Sequence, residues 1–294
     1  MSDLASSGPK PNSGRKLFFG LFIFPLLIAV GMAALLCSVV LLTDEKETPE
    51  TLITAIKTGS PSKRWQKAFE LSNELNQKSA GLRSESVMRE SIHILKDFSR
   101  YDAKTRGYMA LTLGHFDHPD SVEALKSALL DESEDVRLYS LWALGTLHAK
   151  EAVPWILPFL KSESQGARKM AAYVLGSIGD ISALPYMEPL LEDPVEDVRW
   201  NAALGLSRLG SDSGLGVLMK MLDRESLSAD PRRPEDEIEK IIINASKGLA
   251  LIQRQESIKI LRSVSLTDPS MKVRQAALDA IRYQNKNSSD KIKK

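Results

Sequence analysis

Four arginines, Arg106, Arg137, Arg168 and Arg199, stand 31 residues apart, and other columns keep the same register. Leu113, Leu144, Leu175 and Leu206 repeat with them, as do Gly114, Gly145 and Gly176, with Ser207 in the fourth slot. Pro154 and Pro185 share one phase, and Pro158 and Pro189 another. A unit of this length cannot bury its own apolar face, so copies must stack on one another into an array.

Each unit reads as two helices. Around Arg137 the second helix places Val136, Ser140, Leu141, Leu144 and Leu147 on one face at helical spacing. Asp131-x-x-Glu134, Ser162-x-x-Gln165 and Asp193-x-x-Glu196 predict capping boxes at its start, with Pro194 and Pro269 at the first helical position. The first helix includes 122–130, 153–160 and 184–191, where Pro158 and Pro189 predict kinks. Outer copies are worn. Arg274 lies 75 residues beyond Arg199, two periods plus an insertion at 223–240, with a degenerate unit around 243–251 between them. Arg64, with Ala68, Leu71 and Ser72, opens the series. About seven units result, and the first, fifth and last are atypical, as capping of an array requires.

These units resemble the HEAT repeat, in the short bacterial class named after phycobilisome lyases, whose second helix opens Asp-Val-Arg-x-x-Ala-x-x-x-Leu-Gly. Here the motif stands as Asp135-Val136-Arg137 with Leu144-Gly145, and as Asp197-Val198-Arg199 with Ala202, Ala203 and Leu206. The likeness covers about 63–284 and is strongest over 103–210. It implies an all-α fold, a right-handed α-solenoid of about seven HEAT-like helical hairpins. It also brings one rival reading of function, a lyase-like or other enzyme of that family.

Ahead of the array, the 26 residues from Leu17 to Leu42 carry no charge, enough for one transmembrane helix. The run is longer than the apolar core of a cleaved signal peptide, and Leu36 spoils a lipobox before Cys37, so it reads as an uncleaved signal anchor. Lys10, Arg15 and Lys16 precede it, which puts the N-terminus in the cytoplasm and the repeats in the periplasm or outside. The division expected is a basic tail at 1–16, the anchor at 17–42, a juxtamembrane segment at 43–62, the solenoid at 63–284 and a disordered polar tail at 285–294. The net charge of +1 is then a sum over environments: +2 in the tail, none in the span, −1 in the remainder. Such a balance excludes a polybasic nucleic-acid binder, and one cysteine excludes an internal disulfide.

No nucleophile elbow, phosphate loop, dinucleotide fingerprint or cysteine pair is present. His115, Asp117, His118 and His148 fall in inter-helix turns, where solvated residues outweigh a metal site. The arginine column Arg106, Arg137, Arg168, Arg199 and Arg274 reads as a structural ladder that ties units together through caps and carbonyls. One column suggests recognition. Large rings recur on one flank of the second helices: Trp65, Phe69, Tyr108, Tyr139, Trp142, Tyr173 and Trp200. They form either inter-repeat packing or an apolar strip for a partner. The expectation is a membrane-anchored protein-interaction scaffold, not an enzyme, with a protein partner in the envelope or membrane. No cofactor, metal, nucleic acid or small-molecule substrate is expected.

Overall fold

A computed structural model describes residues 19–43, 48–77, 83–252 and 254–292. The chain divides into two compact units, Met1–Thr48 and Pro49–Lys294. The expected basic tail at 1–16 lies outside the described residues.

In the first unit a single π-turn, Phe19–Ile23, runs into helix α1, Phe24–Thr43. Pro25 cannot donate to the preceding turn, and the widened geometry ends where it stands. Within this segment Gly20–Ser38 is 19 residues long, has a mean hydropathy of 2.5 and is wholly unburied. It is long and apolar enough to cross a membrane, and a signal sequence has the same properties.

Among its described residues the second unit is an all-α solenoid of seven hairpins, built from α2–α16. The first two are α2 (Pro49–Thr58) with α3 (Pro61–Gln77) and α4 (Glu85–Lys96) with α5 (Ala103–Leu113). The third is α6 (Pro119–Ala128) with α7 (Glu134–Thr146). In the next two, the first helix is a short α-turn continued as a 3₁₀ stretch. These are α8 (Val153–Ile156) with Leu157–Lys161 before α9 (Gln165–Ile178), and α10 (Leu184–Met187) with Glu188–Glu192 before α11 (Glu196–Arg208). The sixth has α12 (Leu215–Lys220) and α13 (Arg224–Ser228) before α14 (Glu235–Leu251), and the seventh pairs α15 (Gln255–Thr267) with α16 (Met271–Ile292). The second helices α3, α5, α7, α9, α11, α14 and α16 pack each on the next in one row.

The core lies between the two rows of helices. Val136, Ser140, Leu141 and Leu144 are all buried, as their spacing predicts. The glycine column sits where second helices cross. A Cβ on Gly114 would stand 3.0 Å from Ala143, one on Gly145 3.1 Å from Val174, and one on Gly176 2.4 Å from the Cα of Gly205. Neighbouring backbones come this close because those positions carry no side chain.

Several expectations change. Pro158 and Pro189 do not merely kink the first helix; they end its α geometry and start a 3₁₀ stretch, because proline has no N–H for the i−4 carbonyl. The predicted capping residues Asp131, Ser162 and Asp193 stand two residues too early: the N-cap positions are Ser133, Ser164 and Val195, of which only Ser164 accepts a cap bond through its side chain. Pro194 lies outside the helix that begins at Glu196, and Pro269 precedes Met271 by two residues. The segment 43–62 is not a plain juxtamembrane linker, since α2 buries Leu52, Ile53 and Ile56 in the first hairpin. Apolar spacing over so short a helix carried too little signal. Likewise the tail at 285–294 is helical as far as Ile292, an extension of α16.

The insertion 223–240 is docked on the array. Leu227 is buried, Arg233 bonds Glu196 at 2.7 Å, and 235–240 is already the start of α14. Arg233 reaches back to Glu196 and Arg224 forward to Asp268, pairings that a sequence-local view of charge does not reveal.

Candidate interaction surface

The arginine ladder is built from three copies of one junction. Arg106 donates from Nε and Nη2 to the two carboxylate oxygens of Asp131 at 3.1 and 2.8 Å. Asp131 also accepts the Ser133 N–H at 2.9 Å, while its backbone carbonyl accepts Arg137 Nη1 at 2.7 Å. Two units later Arg168, Asp193, Val195 and Arg199 repeat the arrangement. In the third copy Arg274 bonds the Asp268 carbonyl at 2.6 Å, and Arg224 supplies the bidentate pair at 3.0 and 2.9 Å. Arg224 comes from the insertion, because α14 has Ile238 at its fourth position, where the ladder arginine stands in other copies. Each fork-to-fork pair joins adjacent hairpins, and each carbonyl bond closes a turn within one. Where Ser162 replaces the acid, Arg137 keeps its carbonyl bonds to Asp131 and Glu132. Asp131 and Asp193 were legible as the start of capping boxes, a signature that concealed their arginine partners.

All seven ring positions lie on the row of second helices. Phe69 meets Tyr108 edge-on at 5.3 Å between centroids, and Tyr108 stacks on Tyr139 at 5.9 Å. Three residues along α7, Trp142 stacks on Tyr173 at 5.4 Å with only 5° between planes. Gly107 makes room for this row, since a Cβ there would meet the Tyr139 ring at 2.6 Å. The rings thus pack between repeats, yet they stay partly open: Phe69 is 44% and Trp142 43% exposed. Burial, with Tyr108 and Asp135 adding to it, raises the Tyr139 hydroxyl above its usual range, so it stays a neutral donor. Among the described residues Trp65 and Trp200 join no ring pair; Lys104 stands 5.3 Å above the first and Arg233 5.4 Å above the second.

The turn histidines serve structure. His118 Nδ1 accepts the Asp120 N–H and caps α6. His148 Nδ1 lies 2.8 Å from the Ser177 carbonyl. Burial, reinforced by Arg83, lowers the His115 pKa, leaving it neutral near pH 7. Among the described residues no group of three or more His, Cys, Asp or Glu is placed to hold a metal ion.

A sequence profile for HEAT repeats matches residues 92–161, 125–206 and 153–233. No curated protein matches the chain. Among solved structures, the chain is similar to the complex of CpcE and CpcF of phycocyanin lyase from Nostoc sp. PCC7120. The TM-score is 0.55 at 18% identity, covering 82% of this chain and 96% of that one. It is also similar to YIBA of Escherichia coli, with a TM-score of 0.49 and 16% identity over 81% of this chain and 93% of that one. At such identities the likeness speaks for fold alone. Repeat period, hairpin stacking, profile match and shared fold together make this a HEAT-like repeat protein.

Proposed function

We propose that this chain is a membrane-anchored scaffold, not an enzyme, whose repeats hold a protein partner on the row of second helices. The observation that carries this reading is the ring series from Phe69 to Tyr173, stacked across four helices while Phe69 and Trp142 keep two-fifths of their surface in solvent. Rigid aromatic surface of that kind binds at low entropic cost and dominates interface energetics. The span Gly20–Ser38 supports attachment, and Lys10, Arg15 and Lys16 before it support a cytoplasmic N-terminus with the repeats on the far side. The partner in this reading is another membrane or envelope component.

The test is capture of partners from solubilised membranes by the full chain and by a Trp142→Ala/Tyr173→Ala variant. The expected result is loss of a stoichiometric protein partner, with a melting shift no larger than the about 1 kcal/mol that one exposed ring stack contributes. Retained capture, or collapse of the fold on losing these rings, makes them packing alone. Turnover by the purified chain without any partner would support the lyase-like reading instead.

A further inference from the structure

We infer that the partner segment received on this face is acidic, and that Arg208 and Lys247 bind its carboxylates. This rests on the scaffold reading above and adds the chemistry of the partner.

Beyond Tyr173 the face changes character. A pocket of about 320 Å³ opens between α9, α11 and α14, lined among others by Tyr173, Asn201, Leu204, Arg208, Asn244 and Lys247. The Arg208 guanidinium stands 5.1 Å from the centre of the Tyr173 ring, which continues the stack begun by Trp142. Two other cations above rings have counter-ions, Arg233 over Trp200 bonding Glu196 at 2.7 Å and Lys126 over Trp155 bonding Glu123 at 2.8 Å, while Arg64 and Arg100 beside Tyr101 donate to backbone carbonyls. Arg208 and Lys247 have no counter-ion among the described residues.

Nor does the pocket contain an acid to supply one. Helix α9 has no carboxylate. On α11, Glu196 pairs with Arg233 and Asp197 with Lys169. On α14, Glu235 pairs with Arg224, Asp236 with Lys240, Glu237 with Arg233 and Glu239 with Lys272. Every carboxylate on these three helices is thus engaged elsewhere, and Arg208 and Lys247 share one concavity with no counter-ion among the described residues. Concave walls of low dielectric focus such a field and raise the local concentration of anions. The unpaired Lys104 over Trp65 repeats this charge at the far end of the ring row.

Continuity argues for a protein segment over a free anion. Tyr173 belongs to both the ring row and the pocket. On the other side, Lys247 and Leu251 also line a largely apolar groove of about 590 Å³ with Ile243, Ala250 and Tyr283, and the groove's carboxylate, Asp279, pairs with Arg282. A ligand matching this face has apolar groups on both sides of a carboxylate, the pattern of a peptide rather than of a phosphate ion.

The full chain, held in nanodiscs of a zwitterionic lipid, is panned against a random peptide library. Enriched peptides are expected to carry Asp or Glu flanked by apolar residues. Their Kd should weaken roughly tenfold or more in Arg208→Ala/Lys247→Ala, the size of a lost charged hydrogen bond. Melting should hold, because both side chains are exposed. Arg208→Lys should keep most of the affinity. Enrichment of neutral or basic peptides, or peptides sensitive to Trp142→Ala/Tyr173→Ala but not to the charge variant, overturns the inference and leaves the scaffold standing. No enrichment at all counts against both. Binding of phosphatidylglycerol vesicles or inorganic phosphate that the charge variant abolishes, without acidic peptides, overturns it in favour of those anions.

Discussion

His148 has φ of +50°, and the residues one and two periods on, Gly179 and Gly210, have φ of +79° and +83°. All three follow a second helix and turn the chain into the next hairpin. The sequence places His148 in that turn without showing its left-handed backbone, because histidine is a rare occupant of the conformation. In the Gly179 copy the requirement is plain: nothing lies within 4 Å of an added Cβ, so any cost of Gly179→Ala is backbone strain. We expect that substitution to lower stability by about 1 kcal/mol. Gly216→Ala, inside α12 and equally unobstructed, should raise it by about 0.5 kcal/mol. Chemical denaturation of the two variants checks the sign; like signs would mean the turn is not strained by a side chain.

At the level of elements, the Asp193 junction shows what holds one hairpin to the next. Its side chain is 8% exposed and accepts from Nε and Nη2 of Arg168, with a backbone N–H as a further donor. The Arg168 hydrogen bonds, before any other cause, hold the Asp193 carboxyl below its ordinary value near 3.8. The folded state therefore favours the ionised acid, and this contribution is complete above that ordinary value and lost as pH falls through the lower folded one. Asp193→Asn should cost about 2 kcal/mol at neutral pH and flatten the acid limb of the stability curve. Denaturation across pH measures both; an unchanged acid limb would show that the pair is not the source. The same element could not be read correctly from sequence, where Asp193 three residues before Glu196 satisfies a capping box. The bidentate partner lies 25 residues away, and local pattern does not see it.

For the whole molecule, the amphipathic period gave seven hairpins, while the anchor rests on composition and length alone. With residues 19–43 present, the chain should stay with membranes through alkaline carbonate extraction, and a variant lacking them should be released to the soluble fraction. Release in a shortened form would make Gly20–Ser38 a cleaved leader, and release at full length a peripheral helix. The near-neutral total of +1 gives no hint of a charged surface. Local imbalance does: pairing satisfies the acids of α11 and α14 and strands Arg208 and Lys247.

The sequence by itself determined the α-solenoid, its period, its buried stripe and the ring column, because each of these is a property of residues a few positions apart on one helix. It placed the glycines too, without their reason. Only tertiary structure decided that Arg224 from the insertion completes the Asp268 junction, that α2 opens the first hairpin, and which cations remain unpaired. These depend on side chains brought together across dozens of residues, and a repeat fixes where its own helices lie while leaving neighbours free to trade partners.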